Sequence, residues 1–262
     1  MALDFLDTYF IGQSNLIVEQ LESTNGYLKA CCETSKMSEG FLVWAISQTD
    51  GRGQALNKWF SGGPNENLAF SFLLTPKFLN ASNSFRLNMA VSVGIINGLA
   101  QQLPNLDFKI KWPNDIYVNE KKVAGILIEN QITQLNLSSS IIGIGLNVNT
   151  KEFPAELFRA TSLCNEQGDA NISTEVVLSS LLKNIESCYL QLRSGNWEPI
   201  KRRYTQSLLY YQEIQNYKNT KTEEFFSGQI MGVNETGELI VLVENSLTYW
   251  TNKTIAFLFQ NK

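Results

Sequence analysis

The chain has no histidine among its 262 residues. That absence removes Ser-His-Asp and Cys-His catalysis in one step. Cysteine is scarce too: Cys31, Cys32, Cys164 and Cys188 are the four present, and no two form a Cys-x-x-Cys pair. Protein zinc sites draw chiefly on Cys and His, so the cysteines read as reduced fillers. Long apolar runs are missing as well. FLLTPKFL and VSVGIINGLA are interrupted by Pro, Lys or polar residues before the roughly 20 residues that a membrane span needs. The N-terminus, MALDFLDTYF, carries Asp4 and Asp7 and lacks a basic region and a cleavage site, so no signal peptide is expected. Basic clusters are absent, with net charge −4 and pI near 5.1. Neither nucleic acid nor membrane is therefore expected as a partner, and the cytoplasm is the expected location. Chemistry here is left to Lys, Arg, carboxylates, amides, or a metal ion carried in by a substrate.

What is present suffices for one large domain, or a large one and a small one. Strands are expected over 17–21, 41–48 and 68–74, and a helix capped by Ser23 or Thr24 is expected to about Lys36. Long helices are expected over 83–103 and 174–192, and a shorter one over 197–209. The run KWPNDIYVNEKKVAGILIE, from Lys111 to Glu129, reads as two short strands joined by a charged turn, with a further strand over 140–149. After about Gln212 the pattern changes to short strands, expected over 225–230, 239–243, 247–251 and 254–259, with a turn at Asn234-Glu-Thr-Gly237. The expected fold is α+β: a mixed sheet with helices packed on one side, then a small antiparallel barrel or sandwich. The division falls between 1–211 and 212–262.

Four constellations could carry chemistry. Gln48-Thr-Asp-Gly-Arg-Gly-Gln54, followed by Lys58 and Trp59, has Gly51 and Gly53 to let a ligand approach the backbone and Arg52 to clamp an anion. Read alone, it is better taken as a flexible surface turn with a chance arginine. Glu22-Ser-Thr-Asn25 is a helix cap with more polar groups than a cap needs, at a helix end that favours electron-rich atoms. Lys121 and Lys122 should diverge by strand alternation, so that one is solvated while the other enters a cleft. Gly143-Ile-Gly-Leu-Asn147-Val-Asn149 lacks the third glycine and the following helix of a dinucleotide fingerprint. Its small residues suit close approach of a flat ring, or a tight strand crossing.

In this order the motifs resemble the biotin–protein ligases: Ser-Thr-Asn, then Gln-Thr-x-Gly-Arg-Gly-Gln with Lys-Trp, then Lys-Trp-Pro-Asn-Asp with Lys-x-Ala-Gly-Ile-Leu-x-Glu, then Gly-x-Gly-x-Asn-x-Asn. The resemblance spans about residues 15–150 at motif level. It implies a class II aminoacyl-tRNA synthetase/biotin ligase-like catalytic domain with an SH3-like β-barrel after it. The expected form is the short bacterial one, without a DNA-binding module ahead of Ser23.

The resemblance also implies chemistry. Biotin and ATP would form biotinyl-5′-AMP and pyrophosphate, and a lysine of a biotin carboxyl carrier protein domain, such as that of acetyl-CoA carboxylase, would then take the biotinyl group. Arg52 and Lys122 would be the catalytic cations. Biotin would meet Ser23, Thr24, Asn25, Gln48, Gly51, Arg52, Gly53, Lys122, Gly125, Ile126 and Leu127. ATP would meet Arg52, Gln54, Trp59, Lys111, Asn114, Asp115, Lys122, Gly143, Gly145 and Asn147, with Trp59 on the adenine side and Asn147 at its edge. Trp112 would help shape the pocket. Mg2+ is expected with ATP, and no metal is expected to be held by protein ligands alone. A homodimer is possible. Gln54 stands where several relatives have an arginine, and Leu56 where a glycine is frequent. The rival expectations are a lipoate–protein ligase and a non-catalytic biotin-binding adaptor.

Overall fold

The computed structural model describes residues 6–51, 53 and 58–259. β1 (Asn15–Leu21) runs parallel to β2 (Leu42–Gln48). From β2 onward the neighbours β3 (Leu68–Leu74), β7 (Asn136–Leu146), β6 (Lys121–Thr133), β5 (Asp115–Val118) and β4 (Phe108–Lys111) pair antiparallel. The result is a seven-stranded mixed sheet in the order β1-β2-β3-β7-β6-β5-β4.

Strand alternation gives the sheet two unlike faces. Leu42, Trp44, Phe70, Phe72, Leu74, Ile142 and Ile144 project to one side and join the main core. The long helices α2 (Phe85–Gln102) and α4 (Thr174–Arg193) cover that side. They approach closely because Gly94 and Gly98 of α2 leave no room for a Cβ against the backbone of Ile185 and Ser180. Between β7 and α4 lies the short α3 (Leu163–Glu166), and α5 (Glu198–Gln206) packs on α2.

The opposite face carries small residues. In register across it stand Ala45, Ala69, Gly145, Gly125, Asp115 and Lys111, with Val43, Ser71, Gly143 and Leu127 in the next row. α1 (Thr24–Thr34) sits on this face, held by a satellite cluster of Leu28, Val43, Leu73 and Ile141. The long helices thus share one side, as expected, and α1 takes the other. Beyond α1 the small residues leave a floor open to a ligand.

Lys111 to Glu129 holds the two expected strands, β5 and β6, joined by the Asn119-Glu120 turn, with the end of β4 ahead of them. Lys111 closes β4, Trp112-Pro-Asn makes a turn, and Asp115 opens β5. Polar ends concealed the full extent of β6 and β7, which continue to Thr133 and begin at Asn136.

The C-terminal sheet has the order β11-β10-β9-β8-β12, built from β8 (Ile214–Asn219), β9 (Phe225–Val233), β10 (Leu239–Val243), β11 (Ser246–Trp250) and β12 (Ile255–Phe257). β8, sequence IQNYKN, was not anticipated because Tyr217 is its one buried residue. Ile230, Val233, Leu239 and Val241 join the same core as Ile200 and Tyr204 of α5. The β9–β10 turn docks on the larger unit: Trp112 Nε1 donates to the Gly237 carbonyl at 3.0 Å, and Arg86 and Lys201 both pair with Glu235. Among the described residues no helix is long and apolar enough to cross a membrane.

Candidate functional site

The small-residue floor, the N-terminus of α1 and the end of the C-terminal sheet enclose a cavity of about 580 Å³. Five side-chain cations line it among the described residues, Lys58, Lys111, Lys122, Arg159 and Lys253, against the single carboxylate of Asp115. Such an excess of positive charge in a partly desolvated cleft favours an anionic ligand.

Lys122 reaches the cavity through a break in strand alternation. Asp115 opposes Gly125 and Ile116 opposes Ala124, but Tyr117 opposes Lys122, so Val123 is an extra residue in β6. Val123 and Ala124 are both fully buried in the core, and Lys122 joins Gly125 and Leu127 on the floor side. A β-bulge re-aims side chains in this way. Unbroken alternation from Gly125 would have placed Lys121 there instead; it is exposed, 4.0 Å from Glu166.

Lys122 Nζ lies 2.6 Å from Asp115 Oδ1 and 5.6 Å from the Trp59 ring. Lys111 stands next to this pair, over the rings of Phe257 and Tyr117 at 5.0 and 5.9 Å. Burial holds its ammonium below the usual lysine range; Asp115 pulls the other way and Lys122 adds to the lowering. Asn114 fixes the turn beneath them, its Nδ2 donating to the Ile126 carbonyl at 2.6 Å.

Trp59 rests on the glycine floor. A Cβ at Gly145 would overlap its ring, and one at Gly125 would come within 3.1 Å of it. Its Nε1 is buried without a hydrogen-bond partner among the described residues. Gly51 does not line the cavity; its carbonyl accepts from Trp59 N at 2.7 Å and so places the indole.

At the other end, Ser23 caps α1, accepting from Gly26 N at 3.4 Å. Thr24 N donates to Gln48 Oε1 at 2.8 Å, and Ser71 Oγ lies 2.7 Å from Thr24 Oγ1 and 2.6 Å from Asn25 Oδ1. Asn25 Nδ2 donates to Glu129 Oε2 at 2.7 Å. This carboxamide fits because residue 143 is glycine; a Cβ there would collide with it.

The cavity therefore gathers Ser23, Thr24, Asn25, Gln48, Gly53, Trp59, Lys111, Trp112, Asn114, Asp115, Lys122, Gly125, Ile126, Leu127, Gly143 and Gly145. Asn147, expected at the edge of a bound ring, is not in its wall. Its Nδ2 donates to the Thr161 carbonyl at 2.9 Å, in the segment that Lys122 draws in by bridging Ala160, and its buried Oδ1 has no partner among the described residues. The expectations for Arg52, Gln54 and Leu56 lie outside the described residues.

Sequence reasoning missed Arg159, Tyr117 and the C-terminal wall of Lys253, Phe257 and Phe259. Phe259 stacks on Tyr117 with centroids 5.9 Å apart and lies 4.2 Å from the Arg159 guanidinium. Tyr117 comes in on β5, Arg159 through the bridge of its segment to Lys122, and Lys253, Phe257 and Phe259 through the folding back of β12.

Residues 17–147 match the profile of the biotin/lipoate A/B protein ligase family. The bifunctional ligase/repressor BirA of Bacillus subtilis is 32% identical over 241 residues, which cover 90% of this chain and 71% of that protein. The biotin–[acetyl-CoA-carboxylase] ligase of Mycobacterium tuberculosis is 24% identical, over 69% of this chain and 65% of its own. Among solved structures, a biotin protein ligase from Aquifex aeolicus in complex with biotin and ATP superposes with a TM-score of 0.77 at 29% identity, covering 95% of this chain and 100% of that one. Sequence match and superposition both run through the strands that build the charged cavity, and the chain belongs to the biotin/lipoate A/B protein ligase family.

Proposed function

We propose that the protein is an ATP-dependent ligase that activates biotin as biotinyl-5′-AMP and passes it to one lysine of a biotin carboxyl carrier domain. The observation that carries this reading is the pairing, in one cavity, of a cationic end (Lys122, Lys111 and Arg159) with a neutral polar end (Ser23, Thr24 and Gln48). Biotin has the same two ends: a carboxylate at the tip of an alkyl chain and an uncharged ring.

The first step brings together two anions, the biotin carboxylate and the α-phosphate of ATP. A carboxylate oxygen attacks phosphorus, pyrophosphate leaves, and a mixed anhydride remains. Lys122 would bridge the two reacting groups and lower their repulsion, and Asp115 holds its amine in place. Trp59, on its glycine floor, would offer a ring face to adenine. In the second step the carrier lysine attacks the anhydride carbonyl and AMP leaves, its phosphate available to take the proton that the amine sheds. Neither step needs histidine.

Magnesium would enter as the ATP complex. Asp115 is the single cavity-lining carboxylate among the described residues, and it is already paired with Lys122, which fits an ion held mainly by phosphate oxygens and water.

The test is to incubate the protein with labelled biotin, Mg-ATP and a carrier domain. Label on a single carrier lysine, dependent on ATP and not competed by lipoate, supports the reading. ATP-independent binding without AMP release would overturn it.

A further inference from the structure

The polar end of the cavity has a direction that its lining residues alone do not explain. Ser71 and Glu129 stand behind the lining, Ser71 fully buried on β3 and Glu129 on β6. Ser71 Oγ lies within hydrogen-bond distance of both Thr24 Oγ1 and Asn25 Oδ1. A serine hydroxyl has one proton, so it can donate to only one of them. The carboxylate of Glu129 decides which. An ionised carboxylate only accepts, so it must face the Asn25 NH2 group at 2.7 Å. The other amide orientation would set two acceptors against each other. Asn25 Oδ1 then points at Ser71 and takes its proton. Ser71 in turn accepts from Thr24, whose proton is committed inward.

We propose that Glu129 and Ser71 are positioning residues that fix Thr24 as a hydrogen-bond acceptor toward the cavity, making the site selective for a ligand with a ring N–H at that point. The neighbouring groups have the complementary polarity. Gln48 Oε1 is held by Thr24 N, and its NH2 group, 3.5 Å from Ser61 Oγ, keeps a second N–H to donate. Ser23 accepts from Gly26 N, and no acceptor among the described residues takes its proton. Two donors beside one acceptor match a cyclic urea, whose carbonyl accepts and whose ring N–H groups donate. A dithiolane ring offers no N–H. The inference rests on the biotin reading and deepens it by naming what sets ring specificity.

The test uses the full-length protein and three ligands in titration calorimetry: biotin and the two isomeric cyclic carbamates in which one or the other ring N–H is replaced by oxygen. The wild type should bind biotin and one isomer similarly and lose about tenfold or more on the isomer that places oxygen against Thr24, because two acceptors would then face each other. In Glu129→Gln, which can donate as well as accept, and in Ser71→Ala, the gap between the isomers should shrink several-fold, while the rate at saturating biotin stays near wild type. Equal binding of both isomers to the wild type overturns the proposal, as does an undiminished gap in the folded variants. If neither variant folds, the wild-type comparison decides. Failure of the wild type to bind biotin at all would instead sink the ligase reading.

Discussion

Lys122 Nζ and Asp115 Oδ1 are 2.6 Å apart, on strands whose register is broken by one residue between them. The pair is partly exposed, so its own contribution to stability is small. Its significance lies in aim: Asp115 keeps an ammonium pointing into a cavity already rich in positive charge.

Removing that ammonium should be felt in chemistry rather than folding. Lys122→Ala is expected to lower biotin-dependent pyrophosphate exchange by about 10²–10³, with a melting temperature close to wild type. Near wild-type exchange in a folded variant would take Lys122 out of the mechanism. Asp115→Asn should show a smaller defect in the same assay, because the amine stays but loses its anchor.

Gly145 is the point of closest approach between the floor and Trp59. Gly145→Ala forces the indole off its seat, at an overpacking cost of about 1–3 kcal/mol. ATP affinity is expected to fall about tenfold, since 1.4 kcal/mol is one decade in Kd, while biotin affinity changes less. Equal loss of both ligands by calorimetry would contradict the placement of the nucleotide on Trp59.

Docking of the β9–β10 turn should depend on pH. Glu235 is held below the usual carboxylate range by its hydrogen bond from Lys201, helped by Arg86 and opposed by partial burial. A depressed carboxyl contributes stability above its unfolded pKa and loses it as the pH falls through the lowered folded value. Proteolysis of the C-terminal sheet should therefore quicken on acidification below the ordinary glutamate range, and Glu235→Gln should flatten that dependence. Gly237, at φ +92° and 2.5 Å from the Phe85 ring for an added Cβ, gives a pH-independent control. Gly237→Ala should destabilise by about 1–3 kcal/mol at any pH.

Much of this was legible in the sequence because it depends on local signals. Ser23 announces the start of α1, the buried run LAFSFLL announces β3, and the motif order identified the residues of the floor. Most of what could not be read has one physical cause, long-range geometry. Strand alternation showed that Lys121 and Lys122 diverge, but only the extra residue at Val123, visible through pairing with β5, decides which one faces the ligand. Arg159, Phe257 and Phe259 reach the cavity from segments with no motif. Asn147 was expected at a ring edge on its motif, and its amide instead faces the Thr161 carbonyl, a partner 14 positions away. β8 was missed because Tyr217 alone carries its burial.

Lys111 offers the sharpest separation of stability from function. Its ammonium is kept below the normal lysine range first by burial, with Asp115 opposing the shift and Lys122 reinforcing it. The folded state thus gives up this proton at lower pH than the unfolded chain does. Between the lowered folded value and the unfolded value near 10.5 the unfolded chain binds more protons, so folding stability from this group rises with pH across that window. At neutral pH the cost of the buried cation is carried in full. Lys111→Met keeps the stem and removes the charge, so it should be more stable than wild type at neutral pH, with the gap closing as the pH approaches 10.5. The same variant should bind ATP more weakly, because the cavity loses one of its cations. Urea midpoints for both proteins across that pH range check the first expectation, and calorimetry with ATP checks the second. A constant difference in midpoint would mean that Lys111 is as well solvated when folded as when unfolded, and that burial does not set its charge.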